Sequence, residues 1–228
     1  MMNETDENIW RSPEPVPEDD SLVAEDAETL REKVVAVKSG MGWMLVGVLL
    51  AIAVWILLYP LNIVTLVLAL LCVTCQLYGM LLCTRCPNAV RGGRGLVLVS
   101  MAAWGVCFAG CVLMTVMSIT RQETLNFVFL CLMLAGFGVS GLTWQVFLIR
   151  LALWAKSDKL VIMGWVGLLA MLAIIGFTFF PLYQGNATVH PVFGLPAIVY
   201  FGIHPFMVGG MWRELMDVEW WMYRRPGR

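Results

Sequence analysis

Residues 41–83 read MGWMLVGVLLAIAVWILLYPLNIVTLVLALLCVTCQLYGMLLC, two apolar runs parted only by Pro60-Leu61-Asn62. The stretch contains no charged residue and no histidine. Each run is close to the roughly 20 residues that a helix needs to cross a bilayer. A helical hairpin buried in lipid satisfies its backbone internally, whereas an irregular or unpaired chain does not.

The rest of the chain repeats this grammar. Hydrophobic residues make up 60% of the 228 and charged residues 14%, with a mean hydropathy of +0.79. Soluble domains run at about 45–50% apolar and about 25% charged. The predicted fold is therefore all-α: a polytopic membrane protein, a bundle of six transmembrane helices with short loops. The spans are expected at about 41–59, 63–83, 95–119, 125–149, 160–183 and 192–212. Residues 1–38 form an acidic cytoplasmic tail, largely disordered, with a short helix from about residue 21. Residues 39–212 form the transmembrane domain. Residues 213–228 form an amphipathic extension, with Trp212, Met216, Trp220 and Tyr223 on one stripe suited to the membrane surface.

Orientation follows from Lys and Arg. Fourteen of the 15 fall on one side: the N-terminal tail, the loops around residues 85–94 and 150–159, and the C-terminal tail. Only Arg121 falls on the other. Basic residues accumulate in cytoplasmic loops, so both termini are expected in the cytoplasm. A plasma (inner) membrane location is the expectation, with the bilayer as principal partner, a homo-oligomer or another membrane subunit as further partners, and no nucleic acid.

The second run ends in two CxxC pairs, Cys72/Cys75 and Cys83/Cys86. At about 100° per residue all four share roughly 80° of the helix, with Thr65, Gln76 and Gly79 on the same face. Leu66, Leu70, Val73, Leu77 and Leu81 lie opposite. Small, weakly polar residues line helix contacts in membranes, so the stripe reads as a packing seam. One metal ion cannot use both pairs, because Cys72 and Cys83 stand roughly 16 Å apart along a helix. A thiol or metal cluster of Cys72, Cys107, Cys111 and Cys131, at similar membrane depth, is the alternative to packing. Neither a cofactor nor a disulfide is expected.

No span carries a central Asp or Glu, which argues against cation-coupled transport. His204, followed by the helix-bending Pro205, is the one ionisable residue well inside a span. With Gln76 and Gln145 it makes up the candidate binding or pathway residues. His190 and the sequon Asn186-Ala187-Thr188 fall in the last outer loop. A faint echo joins Met41-Gly42-Trp43 to Met163-Gly164-Trp165, each opening an outward-running span.

Gly138-Val139-Ser140-Gly141 in span four resembles the GxSG motif of rhomboid-type intramembrane serine proteases. The resemblance implies Ser140 as nucleophile and His204, on the sixth span, as its base. It covers about a dozen residues. The chain departs from that family in its three-residue first outer loop and in lacking a histidine on span two. The reading that assumes least is a non-enzymatic accessory or scaffold component packing through small-residue seams. The alternative is a small oligomeric permease or channel for a neutral or anionic solute, and a serine hydrolase follows at a distance.

Overall fold

The computed structural model describes residues 26–56, 63–119, 123–183 and 194–224. Outside them lie residues 1–25, 57–62, 120–122, 184–193 with His190 and the sequon, and 225–228. The side chains of Thr65, Leu66, Cys111 and Tyr223 also lie outside the described set.

The described residues form six α-helices and no strand: α1 (Ala27–Ile56), α2 (Ile63–Cys83), α3 (Gly93–Ile119), α4 (Glu123–Trp154), α5 (Asp158–Tyr183) and α6 (Gly194–Arg224). Four are long and apolar enough to cross a membrane, over Ala27–Ala51, Gly93–Gly110, Phe127–Trp154 and Asp158–Thr178. In α2 the shorter segment Leu70–Cys83 is the apolar part that qualifies. The middle helices fall close to the expected boundaries. Two do not stop where hydropathy does. Helix α1 starts about four turns before Met41, and α6 runs past Trp212 to Arg224 without a break.

Both excesses have one cause. Leu30, Val34, Val37 and Met41 recur at spacings of four, three and four, and so do Met211, Leu215, Val218 and Met222. Such periodicity gives a helix one apolar stripe whatever the charges between. The two stripes meet in one core cluster, where Val34, Val37, Met41, Met211 and Leu215 are fully buried. The predicted stripe of Trp212, Met216 and Trp220 is the exposed face of the same helix.

The helices pack mainly in chain order, each on the next, and α6 closes back onto α1. Within this ring α1 pairs closely with α2 and α3 with α4, while α2 and α3 touch least. The largest core cluster fills one end, from Met41, Met44, Met80, Phe147, Leu148, Leu151, Met207 and Met211. Four hydrogen-bonded links tie the segments of that end together. Lys33 Nζ donates to Asn88 Oδ1 (3.0 Å), and Arg150 to the Arg91 carbonyl. Ser157 Oγ meets Glu214 Oε1 (3.0 Å), and Lys38 pairs with Glu219. Helix α4 ends in a Schellman turn, with Ser157 N–H donating to Ala152 O and Lys156 N–H to Leu153 O. Lys156 takes the left-handed position there (φ 55°), where glycine is commoner.

Toward the bilayer the surface is apolar. Leu49, Val64, Leu70, Phe127, Ile162, Leu169 and Phe206 are all exposed. Water does not tolerate so continuous an apolar surface on a monomer. The length of the helices and this surface together suggest a protein integrated in a membrane.

Candidate functional site

The cysteine stripe lies where its spacing placed it. Cys72, Cys75, Cys83 and Cys86 are buried, while Leu70 and Leu81 opposite them are exposed. Helix α1 meets the stripe through glycines. A Cβ at Gly40 would lie 2.8 Å from Cys83 Sγ, and one at Gly47 would lie 3.4 Å from Cys75 Cβ. Cys72 Sγ donates to the Gly47 carbonyl (3.1 Å). A thiol so placed acts as a small hydrophobe with a weak donor. Helices α3 and α4 form a second seam of this kind, where Gly136 faces the backbone of Ala103 and Cys107.

These positions separate the candidate thiols. Cys72 belongs to the α1–α2 seam, and Cys107 to the seam between α3 and α4, the helix that carries Cys131. Among the described residues, no three of His, Cys, Asp and Glu gather closely enough to hold a metal ion. The six described cysteines are free thiols. Gln76 stays on the α1–α2 seam against Gly47, with its Nε2 4.0 Å from Cys72 Sγ, and is not brought to Gln145.

Ser140 is buried, and its hydroxyl lies 3.0 Å from the hydroxyl of Ser100 on α3. Ser100 Oγ also donates to the Ser140 carbonyl (3.1 Å). A neighbouring hydroxyl is no base at neutral pH, and nucleophilic serines need one within hydrogen-bond reach. No hydrogen bond joins Ser140 to His204 among the described residues. The pair closes the α3–α4 seam as a polar clasp.

Gln145 and His204 have a different setting. Gln145 is completely buried on α4, and neither end of its amide has a hydrogen-bond partner. The space it occupies exists because residue 167 is glycine: a Cβ there would stand 2.8 Å from Gln145 Nε2 and 3.1 Å from its Cδ. Tyr200 of α6 lies against the Gln145 amide and interacts with it. One turn on, His204 stacks on Tyr200 with ring centroids 5.7 Å apart and planes at 23°. His204 Nδ1 is enclosed and unpartnered, and so is the indole N–H of the neighbouring Trp144. Helix α6 continues through Pro205.

Four side-chain polar atoms, on Trp144, Gln145 and His204, are thus buried without a close hydrogen bond from the protein. Each such group costs about 1–3 kcal/mol, so native structures leave few of them. Gln145 and His204 both adjoin Tyr200, which brings an amide and a ring nitrogen without full charge together between α4, α5 and α6, whereas Trp144 packs on Phe147 in the larger core cluster. An amide and an imidazole suit a small neutral molecule with donors and acceptors of its own. Sequence reasoning found Gln145 and His204 but missed Trp144 and Tyr200, because aromatic residues in apolar helices read as core or interface anchors. The available signals were adjacency to Gln145 and the one-turn spacing from His204.

No protein-family model matches this chain, and neither a curated protein nor a solved structure resembles it in the comparisons.

Proposed function

We propose that this chain is a non-enzymatic, multi-pass membrane protein of six spans with both termini in the cytoplasm, and that its working centre is the polar cluster between α4, α5 and α6. The cluster holds a small neutral solute in an occluded state during passage. The observation that carries this reading is the pair of buried polar groups on Gln145 and His204, both beside Tyr200 and without a close hydrogen bond of their own. A protein kept only for packing gains nothing from them, since apolar residues of similar shape would avoid the desolvation cost.

Several features support the membrane frame. At 1.5 Å per residue the 21 residues of α2 extend about 31 Å, close to the hydrocarbon thickness. Exposed Trp43, Tyr78, Trp165 and Trp212 lie toward the end that gathers the basic loops, as an interfacial aromatic belt does. The inner membrane and the cytoplasmic orientation rest on the bias in Lys and Arg.

A second reading, an accessory or scaffold subunit, is favoured by the closed core at that end. The seams that suggested it are filled within the chain, so a partner or second copy would use the lipid-facing surface instead. Stopped-flow shrinkage of proteoliposomes against glycerol and urea separates the two. Flux above protein-free vesicles that falls at least tenfold in Gln145→Leu, with the variant folded and inserted, supports the solute site. Flux equal to that of empty vesicles for both proteins leaves the accessory reading.

A further inference from the structure

At the basic end, α1 and the α2–α3 connection line an open cavity of about 570 Å³. Lys33, Arg85 and Arg94 line it, against the single carboxylate of Glu32. Lys33 is engaged with Asn88, whereas Arg85 and Arg94 meet no carboxylate among the described residues. Gly92 and Gly93 also line the cavity, in the turn that starts α3. Gly92 takes φ +66°, and a Cβ there would stand 2.7 Å from Arg150 Nη1. The turn pairs Gly93 N–H with Val90 O and Leu96 N–H with Gly92 O, while the Arg94 and Gly95 amides take no carbonyl of the turn. No acidic residue sits in the first turn of α3, so Arg94 adds to the positive end of the helix dipole.

We infer that this cavity is a binding site for the phosphate group of an anionic membrane lipid, with Arg85, Arg94 and the first amides of α3 holding the phosphate oxygens. Guanidinium groups match that geometry with paired hydrogen bonds, and backbone amides at a helix start add donors at no side-chain cost. The lipid as source rests on the membrane frame proposed above. Leu81 and Leu98, both about half exposed, stand one turn toward the membrane from Arg85 and Arg94. The α2–α3 contact is the slightest in the ring, and the acyl chains would lie against these two helices. Basic pockets between helices on the cytoplasmic side are a recurring way to recognise such headgroups.

The test uses the full chain, purified in detergent and stripped of lipid, with native mass spectrometry of added phosphatidylglycerol and phosphatidylcholine. The wild type should retain phosphatidylglycerol preferentially. Arg85→Gln with Arg94→Gln should weaken that retention about 30-fold, from about fivefold per basic side chain at an anionic surface. Arg85→Lys with Arg94→Lys should keep part of it. Equal retention by the wild type and a folded double-Gln variant overturns the site. Protection from heat by inorganic phosphate, lost in the double-Gln variant and without lipid preference, keeps the phosphate site and overturns lipid as its carrier. A chain that stays monodisperse without detergent removes the membrane frame, while the inorganic phosphate arm still reads the cavity.

Discussion

Gly40 and Gly79 meet backbone to backbone: a Cβ on either would stand 2.6 Å from the carbonyl oxygen of the other. At Gly79 the Met44 side chain, its Cγ 2.5 Å from the added carbon, can shift, but the Gly40 carbonyl is main chain and cannot. Gly79→Ala should therefore destabilise the bundle by about 1–3 kcal/mol, the usual range for overpacking. Gly105→Ala, with nothing within 4 Å of the added carbon, should be neutral or stabilise by about 0.5–1 kcal/mol through helix propensity. Denaturant unfolding in detergent, followed by circular dichroism, compares the two. A Gly79→Ala protein as stable as wild type would mean that α1 and α2 do not approach this closely.

The paired hydroxyls of Ser100 and Ser140 make a separate prediction. Ser100→Ala leaves the Ser140 hydroxyl buried without its partner and should cost about 1–3 kcal/mol, whereas in Ser140→Ala the Ser100 hydroxyl keeps the residue 140 carbonyl and the cost should be smaller. The double change to alanine should cost less than the sum of the single changes, because no orphan remains. A fluorophosphonate probe should leave no adduct on Ser140 in the folded protein. Labelling there, abolished by His204→Ala, would restore the hydrolase reading.

Lys38 and Glu219 are 24% and 15% exposed, between a surface pair and a buried one. Lys38→Ala should cost roughly 1–2 kcal/mol, above the exposed-pair range and below that of a buried pair. Lys38→Glu combined with Glu219→Lys should recover much of the loss. Thermal unfolding of the four proteins in a double-mutant cycle reads the coupling directly.

Acid should loosen the start of α1. Asp26 accepts the Thr29 N–H on Oδ1 (2.7 Å) and the Thr29 hydroxyl on Oδ2 (2.9 Å). The backbone bond first, and then the hydroxyl, hold the Asp26 pKa below its ordinary value. A depressed folded pKa means that the ionised form is favoured by folding. The cap therefore contributes fully above the unfolded pKa of about 3.9 and is lost as pH falls below it. Hydrogen exchange at Ala27–Leu30 should quicken under acid, and Asp26→Ala should show that fast exchange already at neutral pH. Protection unchanged between pH values on either side of that range would remove Asp26 as the cap.

The reading of the sequence worked where one kind of force dominated. Apolar run length located α2, α3 and α5, since lipid exposure and helix length are tied by bilayer thickness. Helical angle placed Cys72, Cys75 and Cys83 of α2 on a buried face, because small-residue seams follow periodicity, whereas Cys86 is buried in the turn that follows the helix. It fell short for the starts and ends that mix charge with core. Glu28, Arg31, Lys33 and Lys38 lower the hydropathy of α1 while its apolar stripe continues beneath them. The outer face of the α6 extension drew attention away from Met211, Leu215 and Val218. At the polar cluster, lone polar residues stood out against apolar helices, but the glycine at 167 that makes room for Gln145 has no mark of its own in one sequence. Ser100 was equally silent, since a serine near a helix start has many ordinary uses.

The closure of α6 onto α1 carries a consequence for biosynthesis. Helices made in sequence dock on a neighbour already present, except the first, whose inner stripe of Val34, Val37 and Met41 awaits Met207, Met211 and Leu215 from the last. Until α6 is made, that stripe is an open flank that quality-control machinery can recognise. Release from surveillance then depends on α6, whose arrival covers the stripe.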